Sequence, residues 1–296
     1  MKTLIFTGSA VAIITPFDET GINFPLLRKL CEFHIANHTD AIVVAGTTGE
    51  ASTMPDAEHI SAIRFVVDVV NKRIPVIAGT GSNDTVHAVE LAKKAQETGA
   101  DALLCVTPYY NKTSQNGLFL HFEAVAKSVD LPMIVYNVPS RTGMNINPET
   151  ALRLSAIPNI VAIKECNLSQ VPEIAHLCGD ELAIYSGEDS HVLSLLALGG
   201  KGVISVMANI IPFETHQMVA SFLTGDFKTA LSIQLKYIPL IKAIFSDVSP
   251  IPVKEAMNIL GYGAGSCRMP LCNMSQAGHD ALAKVLSQYS DLQKGG

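Results

Sequence analysis

Short apolar runs recur along the chain, separated by longer stretches in which apolar and polar residues alternate at helical spacing. The runs are rich in Val, Ile and Ala and contain few polar residues, a pattern typical of parallel strands covered on both faces. We predict eight strands from this pattern. They are Ala10–Ile14, Ala41–Val44, Val76–Ala78, Ala102–Val106, Met133–Tyr136, Ile160–Lys164, Ala183–Ser186 and Gly202–Val206.

The stretches between the runs carry helix start and stop signals. Pro25 and Pro55 stand where two helices are expected to begin, and Gly99 follows the expected end of another. Eight strand–helix units in series predict a (β/α)8 TIM barrel, because an open parallel sheet more often reverses its order. We place the catalytic barrel at residues 1–224.

Residues 225–296 show helical patterns without strands. Pro250, Pro252 and the stretch Gly261–Gly265 interrupt them, so we predict three helices in this C-terminal extension. No low-complexity linker precedes the extension, and we therefore expect it to pack on the barrel.

Composition narrows the classes of function. A formal charge of −6 argues against nucleic acid or an anionic membrane surface as the main partner, because both favour a basic protein. No apolar run is long enough to span a bilayer. The six cysteines show neither CxxC nor metal-ligand spacing, which favours reduced thiols and the cytoplasm. His34 and His38 lack a third ligand, so no metal site is predicted, and no glycine-rich motif indicates a nucleotide cofactor.

Unusual polar residues cluster where the predicted strands end. Active sites of (β/α)8 barrels lie at the carboxyl ends of the strands, so these residues are expected to meet at one mouth. The segments are Gly46-Thr47-Thr48-Gly49-Glu50, Thr107-Pro108-Tyr109-Tyr110-Asn111, Tyr136 to Gly143, Lys164, Gly187-Glu188-Asp189 and Ser205.

Lys164 directly follows four apolar residues in a predicted buried strand. Burial disfavours the charged amine and lowers its pKa, to about 7–8 in typical cases, which yields the neutral nucleophile that imine formation needs. The alternative is a structural lysine held by a carboxylate. Glu165 is an unsuitable partner, because neighbouring residues of a strand point to opposite faces.

Three further features are candidates for chemistry at the same mouth. Tyr136 ends the strand next to that of Lys164 and is either a proton relay or a core aromatic residue. The Thr47-Thr48 turn has hydroxyls and backbone N–H groups suited to a carboxylate, although the motif alone is weak. Arg141 is either a clamp for a second carboxylate or a solvated loop charge.

Taken together, the motifs resemble the dihydrodipicolinate synthase / N-acetylneuraminate lyase family of class I aldolases. The resemblance extends from about Gly8 to the C-terminal helices, with the motifs in the same order and at matching spacing. The motifs that carry it are Gly46 to Glu50, Pro108-Tyr109-Tyr110-Asn111, Tyr136 to Gly143, Ile163-Lys164-Glu165 and Gly202-Val203-Ile204-Ser205.

The resemblance implies a lyase that forms a Schiff base between Lys164 and pyruvate, without a metal or an organic cofactor, in a homotetramer. It also implies a proton relay of Tyr136, Thr47 and Tyr110, in which Tyr110 reaches the site of a neighbouring subunit. Thr48 is expected to hold the pyruvate carboxylate, and Arg141 to bind the second substrate. Gly187 and Ile204 are expected to line the pocket through their backbones.

Within the family, the double tyrosine and the Arg141 loop resemble the synthase branch, in which that arginine binds the carboxylate of L-aspartate 4-semialdehyde. Three alternatives remain. The first is another pyruvate aldolase that acts on a sugar acid or a sialic acid. The second is a paralogue that binds a keto acid without catalysis, and the third is a metal-dependent aldolase.

Two departures from the family pattern concern the second substrate and regulation. Cys166-Asn167-Leu168 makes the loop after Lys164-Glu165 shorter than in most synthases. His87 stands where lysine-sensitive enterobacterial members have an acidic residue, so we expect weak or absent inhibition by lysine. The positions that match the effector site are Ala51, Ser52, Asp56, His59, Asn83, His87 and Tyr109.

Overall fold

Eight parallel strands form a closed barrel in the computed structural model, which describes residues 2–290, 292 and 295. Around the barrel the strands follow the order β1-β10-β9-β8-β7-β6-β5-β4, and β2 pairs with β3 as a separate antiparallel hairpin. The strands are β1 Gly8–Ala12, β2 Phe17–Asp18, β3 Gly21–Ile22, β4 Ala41–Val44, β5 Val76–Gly79, β6 Ala102–Val106, β7 Met133–Asn137, β8 Ile160–Glu165, β9 Ala183–Ser186 and β10 Gly202–Ser205.

The structure confirms the predicted (β/α)8 barrel and corrects the first strand. This strand was expected at Ala10–Ile14 but begins at Gly8, which pairs with Gly202 of β10. It ends at Ala12. Two residues later, Ile14 N donates a hydrogen bond to the side chain of Asn209, at 3.0 Å from Oδ1, and not to a neighbouring strand. The strand begins with a small and a polar residue, Gly8 and Ser9, so a search for apolar runs does not detect its start.

Helices surround the barrel, and several begin at side-chain caps. Asn23, Asp84 and Ser114 each accept a hydrogen bond from a backbone N–H in the first turn that follows. The helices are α1 Phe24–Ala36, α2 Asp56–Val70, α3 Thr85–Glu97, α4 Gln115–Lys127, α5 Pro139–Thr142, α6 Pro148–Ser155, α7 Val171–Cys178, α8 Val192–Ala197, α9 Pro212–Leu223, α10 Phe227–Lys236, α11 Ile238–Ile244, α12 Ile251–Ile259 and α13 Gln276–Leu286. None of these helices is long and apolar enough to cross a membrane.

The C-terminal region differs from the prediction of three helices. Between residue 225 and residue 290 the structure contains four, α10 to α13. The additional break lies at Tyr237, between α10 and α11, where Pro239 has no N–H with which to continue the hydrogen bonding of α10. The boundary between residues 224 and 225 stays a prediction.

Two apolar cores position the site. The outer core lies between the strands and the surrounding helices, and the inner core fills the barrel. At the amino ends of the strands, Phe6 stacks on Tyr185 with ring centroids 4.3 Å apart, and the Tyr185 hydroxyl donates to Phe6 O at 2.6 Å. Both rings belong to the inner core.

Candidate active site

A cavity of about 150 Å³ opens among the carboxyl ends of the barrel strands. Six residues singled out from the sequence line it: Thr47, Thr48, Tyr136, Arg141, Lys164 and Gly187. Ile204 is fully buried in the inner core below. Tyr110 is 90% exposed and does not line this cavity. The structure therefore brings most of the predicted site together and leaves Tyr110 outside it.

Lys164 and Tyr136 are direct neighbours on adjacent strands. The register of β7 and β8 pairs their Cα atoms, and both side chains are buried. Lys164 Nζ lies 4.2 Å from the centroid of the Tyr136 ring. A nucleophilic amine and a phenol are thus held side by side on the rigid wall of the barrel.

The surroundings of Lys164 favour the neutral amine. Burial lowers the pKa of Lys164, and the nearby Cys166, Asp189 and Glu188 oppose this shift. Burial raises the pKa of Tyr136, so its phenol keeps its proton. Among the described residues Lys164 forms no ion pair within 4.0 Å, which removes the structural lysine paired with Glu165.

The Thr47-Thr48 turn is shaped by close backbone approach. Ala45 and Glu50, on either side of the turn, have φ angles of 54° and 57°. Gly79 at the end of β5 lies so near that a Cβ there would stand 2.2 Å from Ala45 O. The turn is also held by Thr15, whose hydroxyl donates to Gly49 O at 2.7 Å. The two threonines are therefore presented to the cavity by a tightly constrained backbone.

Glu50 anchors this turn to the C-terminal region through a buried ion pair. Lys254 Nζ of α12 lies 2.6 Å from Glu50 Oε1, and both side chains are at most 2% exposed. Arg268 N donates to Glu50 Oε2 at 2.8 Å, and Lys254 Nζ donates to Ser266 O at 2.9 Å. Sequence reasoning missed this pair, because its two members are 204 positions apart.

Arg141 lies on α5 at the rim of the cavity. Its Nη2 donates to Ser249 O, 3.1 Å away in the loop before α12. The side chain is exposed but also lines the cavity. The guanidinium therefore lies at the mouth of the cavity, and its role as a carboxylate clamp stays a prediction.

The residues that match the effector site lie around the starts of α2 and α3. His87 Nε2 is 2.9 Å from Asp56 Oδ1, and Lys94 Nζ is 3.4 Å from Asp56 Oδ2. Asn83 Nδ2 donates to Tyr109 O at 3.2 Å.

Two members of the effector set differ in accessibility. His59 is buried, with Nε2 2.7 Å from Gly79 O, whereas Ser52 lies in a short turn before α2 and is exposed. The Asp56 carboxylate already has two basic neighbours, His87 and Lys94, which reduces its attraction for an added ammonium.

His, Cys, Asp and Glu side chains are the possible metal ligands in the part of the chain that the structure describes. Among residues 2–290, 292 and 295 no group of three or more His, Cys, Asp or Glu side chains is arranged to hold a metal ion. His34 and His38 have different neighbours: His34 is buried with Nδ1 3.1 Å from Thr39 Oγ1, and the His38 ring lies 5.9 Å from that of His216.

Comparison with known proteins places the chain in a family. The model of the dihydrodipicolinate synthetase family matches residues 5–289 of the chain. The chain belongs to this family. Among curated relatives it is 57% identical over 289 residues to the 4-hydroxy-tetrahydrodipicolinate synthase of Acetivibrio thermocellus, covering 98% of this chain and 99% of the relative. The identity to the enzyme of the same name from Caldicellulosiruptor saccharolyticus is also 57%, over 96% of this chain and 97% of the relative.

Solved structures agree with this assignment. Dihydrodipicolinate synthase from Aquifex aeolicus superposes with a TM-score of 0.95 at 44% identity, over 98% of this chain and 100% of that one. The chloride-inhibited enzyme of Acinetobacter baumannii, complexed with pyruvate, gives 0.93 at 42% identity, over 95% and 98%. The resemblance inferred from the motifs is therefore confirmed at the level of family and fold.

Proposed function

We propose that this chain is a 4-hydroxy-tetrahydrodipicolinate synthase, a lyase that condenses pyruvate with L-aspartate 4-semialdehyde in the synthesis of diaminopimelate and lysine. The observation that carries the proposal is the buried Lys164 amine beside the Tyr136 phenol, in a cavity that Arg141 also lines. Relatives that are 57% identical over nearly the whole chain carry this name. The family and the geometry therefore support the same chemistry.

The first stage joins pyruvate to the enzyme. The neutral amine of Lys164 attacks the keto carbon of pyruvate and forms a carbinolamine, with the carboxylate held at the Thr47-Thr48 turn. Loss of water, with protons moved by the Tyr136 phenol, leaves a protonated imine. We assign Thr47 to the same proton relay, because it lines the cavity with Tyr136.

The second stage forms the carbon–carbon bond. Loss of a methyl proton converts the imine into an enamine, whose carbon adds to the aldehyde of the semialdehyde held by Arg141. The substrate's own amine then displaces Lys164, closes the ring and releases hydroxytetrahydrodipicolinate. The protonated imine accepts the electron pair when the methyl proton leaves, so this sequence of steps requires neither a metal nor an organic cofactor.

The third member of the proposed relay, Tyr110, belongs to an assembly of several copies. Tyr110 is 90% exposed and has a φ angle of 70°, in the loop after β6. We propose a homotetramer in which this ring reaches the cavity of a neighbouring copy. Gly187 lines the cavity and Ile204 lies beneath it, and we assign both to substrate contact through their backbones.

The deciding experiment is condensation of pyruvate with L-aspartate 4-semialdehyde, coupled to NADPH oxidation by dihydrodipicolinate reductase. We expect a signal that requires both substrates. A folded protein that gives no signal but still forms a borohydride-trapped adduct with pyruvate would be an aldolase for another aldehyde, such as a sugar acid. A protein with neither an adduct nor turnover would be a non-catalytic binder, and turnover without an adduct that is lost in EDTA would indicate a metal-dependent aldolase.

Lysine is expected to inhibit this enzyme weakly or not at all. His87 occupies the place of an acidic residue, and the remaining carboxylate, Asp56, already contacts His87 and Lys94. Initial rates of the coupled assay at increasing lysine concentration measure the effect. An inhibition constant in the micromolar range would contradict the expectation.

A further inference from the structure

Directly behind the reacting side chains lies a second cross-strand pair, Asn137 and Glu165. In the register of β7 and β8 they are the next pair after Tyr136 and Lys164. Because side chains alternate along a strand, Asn137 and Glu165 point away from the barrel interior into which Lys164 points. Both are at most 1% exposed, and Asn137 Nδ2 lies 2.8 Å and 3.0 Å from the two oxygens of Glu165.

Further hydrogen bonds attach this pair to the segments around it. Gln170 Nε2 donates to Glu165 Oε2 at 2.9 Å, and Asn167 N donates to Glu165 Oε1 at 2.7 Å. Ile146 N, in the segment that follows α5, donates to Asn137 Oδ1 at 2.9 Å. One buried cluster thus connects the Schiff-base strand, the tyrosine strand and the loop that follows Arg141.

Burying polar and ionisable side chains in this way costs desolvation free energy. Burial raises the pKa of Glu165 to about 7, although the hydrogen bonds from Asn167, Gln170 and Asn137 favour the carboxylate. Apolar side chains of similar volume often give equal or greater stability than buried charged groups. Fully hydrogen-bonded polar groups do, however, define the relative position of the elements that they join, because each hydrogen bond restricts a distance and an angle.

We propose that Asn137 and Glu165 are positioning residues, which hold β7 and β8 in the register that sets Tyr136 against Lys164 and which fix the Arg141 loop over the same cavity. This inference rests on the proposed function, because it deepens the assignment of that site. Neither residue lines the cavity, so the pair acts through its neighbours on the strands.

The test is Glu165→Gln, which keeps the size of the side chain and replaces one acceptor oxygen with an NH₂ group. That group would face Asn137 Nδ2 or Gln170 Nε2, so a donor would meet a donor. We expect borohydride trapping of pyruvate to slow by about tenfold to 100-fold, the range associated with misplacement of a catalytic group by roughly 1 Å. The readout is the rate of adduct formation by mass spectrometry, with pyruvate as the sole substrate.

Two variants separate positioning from a general loss of stability. Val66→Ala, on the buried face of α2 in the outer core, is expected to lower the unfolding temperature and leave the trapping rate unchanged. The double variant Asn137→Asp/Glu165→Gln lets the amide introduced at position 165 donate to a carboxylate that still accepts Ile146 N, while Asn145 Oδ1 loses the donor Asn137 Nδ2, which lies 2.9 Å away in the wild type. It should recover part of the rate lost in Glu165→Gln.

The inference is overturned if Glu165→Gln traps pyruvate at the wild-type rate. If Glu165→Gln does not fold, Glu165→Asp takes its place with the same expected slowing. Because trapping uses pyruvate alone, failure of the semialdehyde reaction in the wild type would count against the proposed substrate and leave this test intact. A wild type without any pyruvate adduct would overturn both.

Discussion

Replacing Lys164 with alanine is expected to abolish condensation, with a loss of about 10⁴-fold or more in kcat, the scale seen when a covalent nucleophile is removed. Tyr136 and the Thr47-Thr48 turn would remain, but neither is an amine able to form an imine. The fold should persist, because the substitution removes a buried amine that has no ion-pair partner among the described residues. The coupled assay and mass spectrometry after borohydride treatment with pyruvate measure the effect.

Lys201→Ala serves as the matched control. Lys201 immediately precedes β10 and therefore lies at the amino end of the barrel, opposite the cavity. We expect this variant to condense the two substrates and to form the pyruvate adduct at wild-type rates. A borohydride-stable pyruvate adduct on the Lys164→Ala protein, or turnover close to that of the control, would exclude Lys164 as the nucleophile.

Lys254→Met is expected to lower the free energy of unfolding by about 3–5 kcal/mol, the usual cost of breaking a buried ion pair from one side. Methionine approximates the length of lysine, so the packing changes little, but the Glu50 carboxylate loses its cation in a site where its side chain is 0% exposed. The hydrogen bond from Arg268 N would remain and compensates only in part. Urea denaturation of the two proteins measures the difference.

Two comparisons identify the cause of that loss. In the double variant Glu50→Gln/Lys254→Met neither position carries a charge, so part of the stability should return. Lys127→Met breaks an exposed ion pair with Glu123 on α4, where Lys127 is 68% exposed, and should cost less than about 1 kcal/mol. If Lys254→Met costs no more than Lys127→Met, the pair with Glu50 is not an anchor of the Thr47-Thr48 turn.

Apolar runs were sufficient to predict the barrel. Ala41–Val44, Ala102–Val106 and Ala183–Ser186 have the predicted bounds, because a parallel strand covered on both faces must be apolar along its whole length. The same reasoning failed for β1, which begins with Gly8 and Ser9. It also failed for the hairpin of β2 and β3, whose strands have two residues each and too short a pattern to recognise.

The fold, the family and most residues at the mouth of the barrel could be predicted from the sequence. Parallel strands in a closed barrel end at one face, so residues that follow different strands meet there without further information. Lys164 stood out because an amine in an apolar strand is costly unless it is paired or used chemically.

The polar groups that support these residues could be identified from the three-dimensional structure but not from the sequence. Lys254 meets Glu50 across 204 positions, and Arg141 meets Ser249 across 108. Asn137 and Glu165 become partners through the register of two strands 28 positions apart. A hydrophobic pattern specifies which face of an element is buried, whereas the partner of a buried polar group depends on how distant elements come together when the barrel closes.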